Sequence, residues 1–395
     1  METVCHVITK LELGGAQEIA LHLVSHLDPA KYRLVLATGP GGLLDEDAKA
    51  IRGLDVILLS WLGRPVHLFG DVAALVELIF LFRRLRPTIV HTHSSKAGIL
   101  GRWAAWFAGV PIILHTIHGF GITPGQSPAV RWLFTRLERI TGWITTYWIA
   151  VAQADIDRGR RWGLFEKNVS LIRPGIDPGP FELPFDERDR AAMRCEFGAG
   201  SDHWLIGTVA CLKPQKAPEH FMAVAKNVCD RLPQARFVLI GDGELRQSVE
   251  SLIVRYRLED RVRLAGWRRD IPASMKAMDA FVLTSRWEGL PRVILEARAT
   301  GLPIAATNVG GVREAMETHR SGIVVDDGDV AALSAFLVQL YREGRESRGH
   351  ALKRAGSLPL EFHIDHMVYQ YQTLYAELLE ARRDDMQSQA LGLSR

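Results

Sequence analysis

Two doubly wound α/β domains joined by a hinge are the fold this sequence predicts, and three observations carry that expectation. Short β-branched runs alternate with longer segments of helical periodicity, the mark of a parallel sheet covered by helices on both faces. The alternation is interrupted by the Pro- and Gly-rich stretch RPGIDPGPFELPF, Arg173 to Phe185, and then starts again. The length of 395 residues agrees, since a single core of this kind takes about 150. The expected division is 1–180, 181–360, and a final helix over 361–385 that packs back on the first domain.

In order, strands are expected at Val4–Ile8, Arg33–Ala37, Asp55–Leu59, Ile89–Thr92, Ile112–Thr116 and Tyr147–Val151. Amphipathic helices such as Gly15–Leu27 and Asp71–Leu85 lie between them, the second stopped by Pro87. After the hinge come Trp204–Ala210, Ala235–Gly241, Val262–Gly266, Ala280–Thr284, Pro303–Thr307 and Gly322–Val325. A last helix over Phe362–Ala381 carries Met367, Tyr371, Leu374 and Leu378 on one stripe. No strand follows it, so it must pack on something already built; only the last ten or so residues read as disordered.

Composition excludes several classes. The first ten residues read as a strand without a basic, then long apolar, leader, so secretion is not indicated. Cys5, Cys195, Cys211 and Cys229 form no C-x-x-C pair, which argues against a disulfide framework or a zinc site and for a reducing, cytoplasmic setting. The longest apolar run, Val72–Phe82, is too short for a bilayer span and carries Glu77. Charge is uneven: residues 60–173 hold 14 lysines and arginines against 6 carboxylates, and seven of the ten tryptophans. Basic residues interleaved with tryptophan fit a face resting on anionic headgroups, the alternative being core tryptophans beside a solvated charged face. No recognition motif accompanies the charge, so nucleic acid fits poorly. No G-x-G-x-x-G follows the first strand, which disfavours a nicotinamide cofactor.

In open α/β sheets ligands bind beyond the carboxyl ends of strands. After the first strand, Gly14 and Gly15 open a helix, where bare backbone amides can approach an anion. After Ile112–Thr116 comes HTIHGFG, in which His118 is placed to exchange a hydrogen bond with a polar substrate. His91 and His93 share one strand face, but with no third ligand in sight they read as structural rather than metal-binding. In the second half, Lys213 and Lys216 precede a helix beginning near Pro218, and two ammonium groups beside helix-end amides seat a diphosphate. Gly241-Asp242-Gly243 ends the next strand and reads first as a turn. The D-x-D tripeptides Asp155–Asp157 and Asp327–Asp329 fall at helix starts and read as caps rather than metal sites. In SRWEGLPRVILEA, Ser285 onward, the amides of Gly289 and Leu290 point at an anion near a helix start, with Glu288 at the loop edge and Glu296 about a turn along the helix. Carboxylates only accept hydrogen bonds, so beside an anion they suit the hydroxyls of a sugar and a ribose.

The E-x7-E element Glu288–Glu296 with its continuation LEARATGLPIAATNVGG, the loops HTHSSKAG and HTIHGFG, and the early Gly-Gly pair resemble the retaining glycosyltransferases of family 4. The likeness spans nearly the whole chain; SSKAGILGRWAAW with HTIHGFG is similar to bacterial enzymes that build lipid-linked exopolysaccharide, capsule or O-antigen. The resemblance implies the GT-B fold, with two Rossmann-like domains facing a cleft, the first on the acceptor side and the second binding the nucleotide sugar. It implies that Glu288 contacts donor-sugar hydroxyls, Glu296 the ribose, Gly289 and Leu290 the phosphates through their backbone, and Lys216 the diphosphate. Gly14 and Gly15 would border the donor, with Gly241 and Gly243 also in donor-binding loops, and His118 would lie at the reacting centre. Three positions depart from the family: Cys211 where an arginine is common, leaving Lys213 to substitute, Ala217 where a glycine is common, and Gln17 where an acid is common.

The expected reaction is retaining, metal-independent hexosyl transfer from a nucleotide diphosphosugar, with no cofactor. The expected acceptor class is a polyprenyl-diphosphate-linked saccharide at the inner membrane face, reached by a peripheral protein. A sugar-nucleotide epimerase of the same architecture, or transfer to a soluble acceptor, are the alternatives.

Overall fold

The computed structural model describes residues 1–123, 125–344 and 358–390, the side chains of 389 and 390 excepted. The chain forms two compact units, one of Met1–Gly175 with the segment from Ile364 onward, the other of Ile176–His363. At the joint, the Ile176 N–H donates to the Phe362 carbonyl at 2.9 Å, and Ile176 bridges His363 in parallel. The second unit therefore begins and ends on neighbouring strands of chain.

The first unit is a seven-stranded sheet in the order β3-β2-β1-β4-β5-β6-β7. Its strands are β1 (Glu2–Lys10), β2 (Tyr32–Gly39), β3 (Leu54–Leu58), β4 (Ile89–His93), β5 (Ile112–Ile117), β6 (Tyr147–Ala150) and β7 (Val169–Leu171), all paired in parallel. Parallel strands are buried on both faces, which is why β1 reads as a near-continuous apolar run. On one face Val4, Leu34, Ile89 and Leu114 pack with Ile19 and Leu23 of the helix Gly15–His26, and with Met367, Tyr371, Leu374 and Tyr375 of the last helix, Ile364–Ala390. On the other face Cys5, Val7, Val35 and Val90 meet Leu78 and Phe82 of the helix Leu68–Leu85, and Ala97 and Ala104 of the helix Ser95–Phe107. The apolar stripe of the last helix is thus spent on this sheet.

The second unit is a six-stranded parallel sheet in the order β10-β9-β8-β11-β12-β13. Its strands are β8 (Trp204–Val209), β9 (Ala235–Ile240), β10 (Val262–Gly266), β11 (Ala280–Leu283), β12 (Ile304–Thr307) and β13 (Gly322–Val325). One face is closed by Phe221, Val224 and Val228 of the helix Pro218–Cys229 and by Leu333 and Leu337 of the helix Val330–Arg342.

Three expectations change. β7 was not anticipated, because three residues beside a Pro-rich loop carry too little periodicity. The last helix runs to Ala390, so its polar end is helical rather than disordered, while 391–395 lie outside the described residues. Asp329 does cap its helix, accepting from the Ala332 N–H at 2.9 Å, but Asp155 does not: the helix Gln153–Arg161 starts earlier, from Ala152, and Asp155 sits buried in its first turn. No helix among the described residues is long and apolar enough to cross a membrane, and none of the four cysteines is in a disulfide.

Candidate active site

In the second unit the strand order reverses between β8 and β11, so the loops leaving their carboxyl ends diverge and open a crevice. The two loops carry the lysines and the first glutamate, and the structure joins them directly. Lys216 Nζ lies 2.5 Å from Glu288 Oε1, with the side chains 16% and 7% exposed. Ser285 Oγ donates to the same oxygen at 2.6 Å, while Gln215 Nε2 donates to the Trp287 carbonyl at 2.8 Å and to Glu288 Oε2 at 3.4 Å. Thr284 Oγ1 donates to the Lys216 carbonyl at 3.1 Å, and the Arg286 N–H to the Gln215 carbonyl at 2.8 Å. Sequence reasoning missed Ser285 and Gln215, which lock the carboxylate, because a serine and a glutamine in loops carry no signal of their own.

Three glycines hold these loops by close backbone approach. Gly241 (φ +128°) and Gly243 (φ +158°) lie against the β8 loop; a Cβ at Gly241 would stand 2.1 Å from the Ala210 carbonyl oxygen, and one at Gly243 2.6 Å from that of Leu212. Only glycine fits. The Leu212 N–H donates to the Asp242 carbonyl at 2.9 Å, so the Gly-Asp-Gly turn braces the segment that carries Cys211 and Lys213. Gly310, absent from the expected site, has φ +54° and would place a Cβ 2.1 Å from the Glu288 carbonyl oxygen. Beside it the Gly311 N–H donates to the Gly289 carbonyl at 2.6 Å. The Gly-Gly pair is therefore the floor of the Glu288 loop.

Behind that loop runs the helix Arg292–Ala299, whose N-terminus follows Pro291 and receives no side-chain cap. Gly289 and Leu290 are buried just ahead of it. Glu296 is buried, with an oxygen 3.6 Å from Arg292 one turn earlier. The helix Pro218–Cys229 likewise lacks a side-chain cap and starts from Ala217 in the left-handed conformation, φ +44° and ψ +57°. A glycine would adopt that backbone without strain, which is what makes alanine a departure here.

In the first unit the reversal lies between β1 and β4. Gly14 precedes the helix Gly15–His26 in extended conformation, and again no side chain caps the helix. Gln17, where the family acid is missing, donates to the Lys10 carbonyl at 3.4 Å. His118 follows β5 at its carboxyl end. His118 Nε2 is 3.0 Å from His93 Nδ1, and His93 Nε2 is 3.0 Å from His6 Nδ1.

His91 and His93 were expected without a third ring, yet β1 supplies His6, so three imidazoles come together in the sheet's core. Their facing nitrogens are already paired: His6 with His93, and His91 with Tyr375 at 2.5 Å and Thr116 at 2.7 Å. A metal would have to displace those bonds and carry its charge into a buried site. Burial pushes His6 down to about 3 and His118 to about 4, and holds His91 and His93 well below the ordinary value. All four rings are neutral at pH 7.

The basic, Trp-rich region divides. Trp148 is core, and Arg102 is buried in an ion pair with Glu138 at 2.6 Å. In contrast Trp61, Trp106, Trp132 and Trp143 are exposed, as are Leu68, Phe69, Val72, Val76 and Phe80 along the outer side of the helix Leu68–Leu85.

Residues 14–175 match the family described as "Glycosyl transferase 4-like domain", and residues 204–343 that described as "Glycosyl transferases group 1". The chain is 32% identical to an Escherichia coli "UDP-Gal:alpha-D-GlcNAc-diphosphoundecaprenol alpha-1,3-galactosyltransferase", over 85% of this chain and 87% of that protein. It is 23% identical to the Staphylococcus aureus capsular polysaccharide glycosyltransferase CapM, over 78% and 82% of the two chains. Among solved structures it resembles Anabaena HepE in complex with UDP and glucose, with a TM-score of 0.81, 19% identity, and coverage of 96% of this chain and all of that one. With two Rossmann-like units of this topology, the chain belongs to the group 1, family 4 glycosyltransferases and is a glycosyltransferase of the GT-B fold.

Proposed function

We propose that this protein transfers a hexose, with retention and without a metal ion, from a nucleotide diphosphosugar to a hydroxyl of a polyprenyl-diphosphate-linked saccharide. The observation that carries the reading is the Lys216–Glu288 pair at the reversal of the second sheet. A diphosphate entering there takes Lys216 as its cation, and Glu288, released from it, accepts from hydroxyls of the donor sugar. Lys213 and the amides of Gly289 and Leu290 add to the neutralisation, and Glu296 accepts from the ribose. Gly241 and Gly243 keep the lysine-bearing loop in place. From the first unit, Gly14 and Gly15 offer backbone amides to the donor and His118 acts at the reacting centre.

The transition state of such a transfer resembles an oxocarbenium ion with a negatively charged leaving group. Lysines and fixed amides lower its energy because they are aimed where charge develops. A departing phosphate oxygen takes the acceptor proton on the face it leaves, which forms the new bond with the configuration of the old. Lysine and amide charge does the work a divalent ion does elsewhere, so no metal is required.

The E. coli relative's name specifies a diphosphoundecaprenol-linked acceptor. The exposed tryptophans and the outward stripe of the helix Leu68–Leu85 support a peripheral seat on the inner membrane face. So does the helix Pro128–Gly142, which exposes Trp132, Leu133, Leu137 and Ile140 beside Arg131, Arg136 and Arg139.

The test is transfer from a panel of nucleotide sugars, UDP-galactose included, to undecaprenyl-diphosphate GlcNAc in EDTA. Formation of an α-linked disaccharide on the lipid supports the reading; product formed only on soluble sugars, only with added metal, or with inverted configuration contradicts it.

A further inference from the structure

At the amino edge of the second sheet, the ends of the helices Pro218–Cys229 and Arg246–Tyr256 and the loop that enters β10 enclose a cavity of 410 Å³. Its charged lining is Lys226 and Asp230 from the first helix end, Arg255 and Arg257 from the second, and Arg261 from the loop; Tyr256 adds a half-buried ring. Lys226 and Asp230 are bonded to each other. No carboxylate among the described residues pairs with Arg255, Arg257 or Arg261. The Arg261 guanidinium donates to the Pro233 carbonyl, and Arg236 donates to the same oxygen at 3.1 Å, so two cations share one neutral acceptor. Burial, and then the charge of Arg261, hold Arg236 below the ordinary arginine value, against smaller opposite effects that include Asp202 and Asp260.

Cations at helix ends have an ordinary use, because the last carbonyls of a helix carry about half a negative charge. That use does not absorb these residues. Four cations against one carboxylate leave a surplus of three in the lining, and two helix ends offset about one of them. About two positive charges remain, a match for a phosphate monoester, which carries about −1.5 to −2 near pH 7. Three of the four cations are arginines, whose planar forks meet phosphate oxygens through paired N–H groups. A cavity of this size holds a phosphate with a small organic body beside it. The donor loops leave the opposite ends of β8 and β11, and a strand such as Ala235–Ile240 spans about 20 Å. A ligand of this cavity therefore does not reach Lys216.

We propose that the cavity is a second anion site, which takes the dianion of a phosphomonoester on Arg255, Arg257 and Arg261. Free sugar or glycerol phosphates and a phosphomonoester lipid headgroup share that chemistry. The site stands apart from the donor crevice and does not depend on the reading of the transfer reaction.

The test is calorimetric titration of the full-length protein with inorganic phosphate and with glycerol 3-phosphate at constant ionic strength, in the wild type and in the double variant Arg255→Ala, Arg257→Gly. Each substitution suits its backbone, since Arg255 is an exposed helical residue and Arg257 has φ +56°. The wild type should bind with a Kd of about 1 mM or tighter, and the double variant roughly 10-fold or more weakly, as expected for lost hydrogen bonds to a charged group. Lys216→Ala should leave this binding within about 2-fold, which separates it from any phosphate held by the donor loops. Where the double variant fails to fold, Arg261→Gln removes a cation from the loop and should weaken phosphate by roughly 10-fold. Vesicles of phosphatidylcholine with phosphatidic acid distinguish the two sources: a bound fraction that falls in the double variant assigns the cavity to a lipid headgroup, and an equal fraction assigns it to a free phosphomonoester. Heats that do not saturate in the wild type, equal phosphate affinity in the wild type and the double variant, or a loss confined to Lys216→Ala would overturn the inference.

Discussion

Lys216 and Glu288, 72 positions apart in sequence, are bound to each other at 2.5 Å across the point where the second sheet reverses its strand order. Both side chains are largely withdrawn from water. Breaking such a pair without a replacement leaves a poorly solvated charge, so a ligand that separates them must supply both an anion for the lysine and donors for the carboxylate. A diphosphosugar offers both in one molecule. The pair thus ties the loops after β8 and β11 to each other.

Glu296 is expected to act on the nucleoside and not on the transferred sugar. Glu296→Ala should weaken binding of the nucleoside diphosphate by about 10-fold, the value of one or two hydrogen bonds to a charged acceptor. Calorimetric titration checks this, and an unchanged affinity removes the ribose assignment.

Gly310→Ala should damage the donor site from behind. The new Cβ would press on the Glu288 and Gly289 carbonyl oxygens from a left-handed residue, so the loop must shift or the unit must strain. A stability loss of about 1 to 3 kcal/mol is expected, together with weakened nucleotide binding. Denaturant unfolding and titration measure the two effects; normal affinity would show that the Gly-Gly pair does not shape the site.

Acid should destabilise the protein through its buried histidines. His6 falls to about 3, and His118 and His319 to about 4, because burial disfavours the charged ring, against an ordinary value of 6.5. The folded-state values lie below the unfolded ones, so between about pH 6.5 and 4 the unfolded chain binds the extra protons. The stability conferred by neutral burial is complete above that window and is lost as pH falls through it, at up to about 1.4 kcal/mol per pH unit for each ring. Melting temperatures should be level from pH 8 to 7 and drop steeply toward pH 5; a flat profile to pH 5 contradicts the burial of these rings.

The exposed apolar and basic residues of the first unit predict sedimentation with vesicles containing anionic lipid and release by salt. Phe69→Asp together with Trp143→Ala should reduce the bound fraction several-fold, as each large side chain contributes roughly 1.5 to 3 kcal/mol when withdrawn from water. Indifference of the wild-type protein to such vesicles would direct attention to a soluble acceptor.

The alternation of strand and helix was legible because each of the twelve expected strands is an apolar run long enough to declare itself, whereas Val169–Leu171 is not. Glu288 and Lys216 were named as candidates through the resemblance, but their mutual bond was not legible, since the strand order that brings the β8 and β11 loops together is a tertiary property. The same holds for His6. Nothing in a lone histidine on the first strand announces His93, 87 positions away. Arg102 counts as surface charge in any composition map, but stacking over Trp148 and pairing with Glu138 put it in the core. Of the tryptophans, sequence could not separate Trp148 from Trp143, because the pattern of one aromatic residue says little about which helix face is covered.

The most direct measurement is calorimetric binding of UDP, with uridine as control, to the wild type and to Lys216→Ala. Loss of about 10- to 100-fold in UDP affinity, with uridine binding unaltered and a single cooperative melting transition retained at a lowered temperature, is the outcome predicted for a charged hydrogen bond to the diphosphate. Equal UDP affinity in the two proteins would contradict the assignment of Lys216 to the diphosphate.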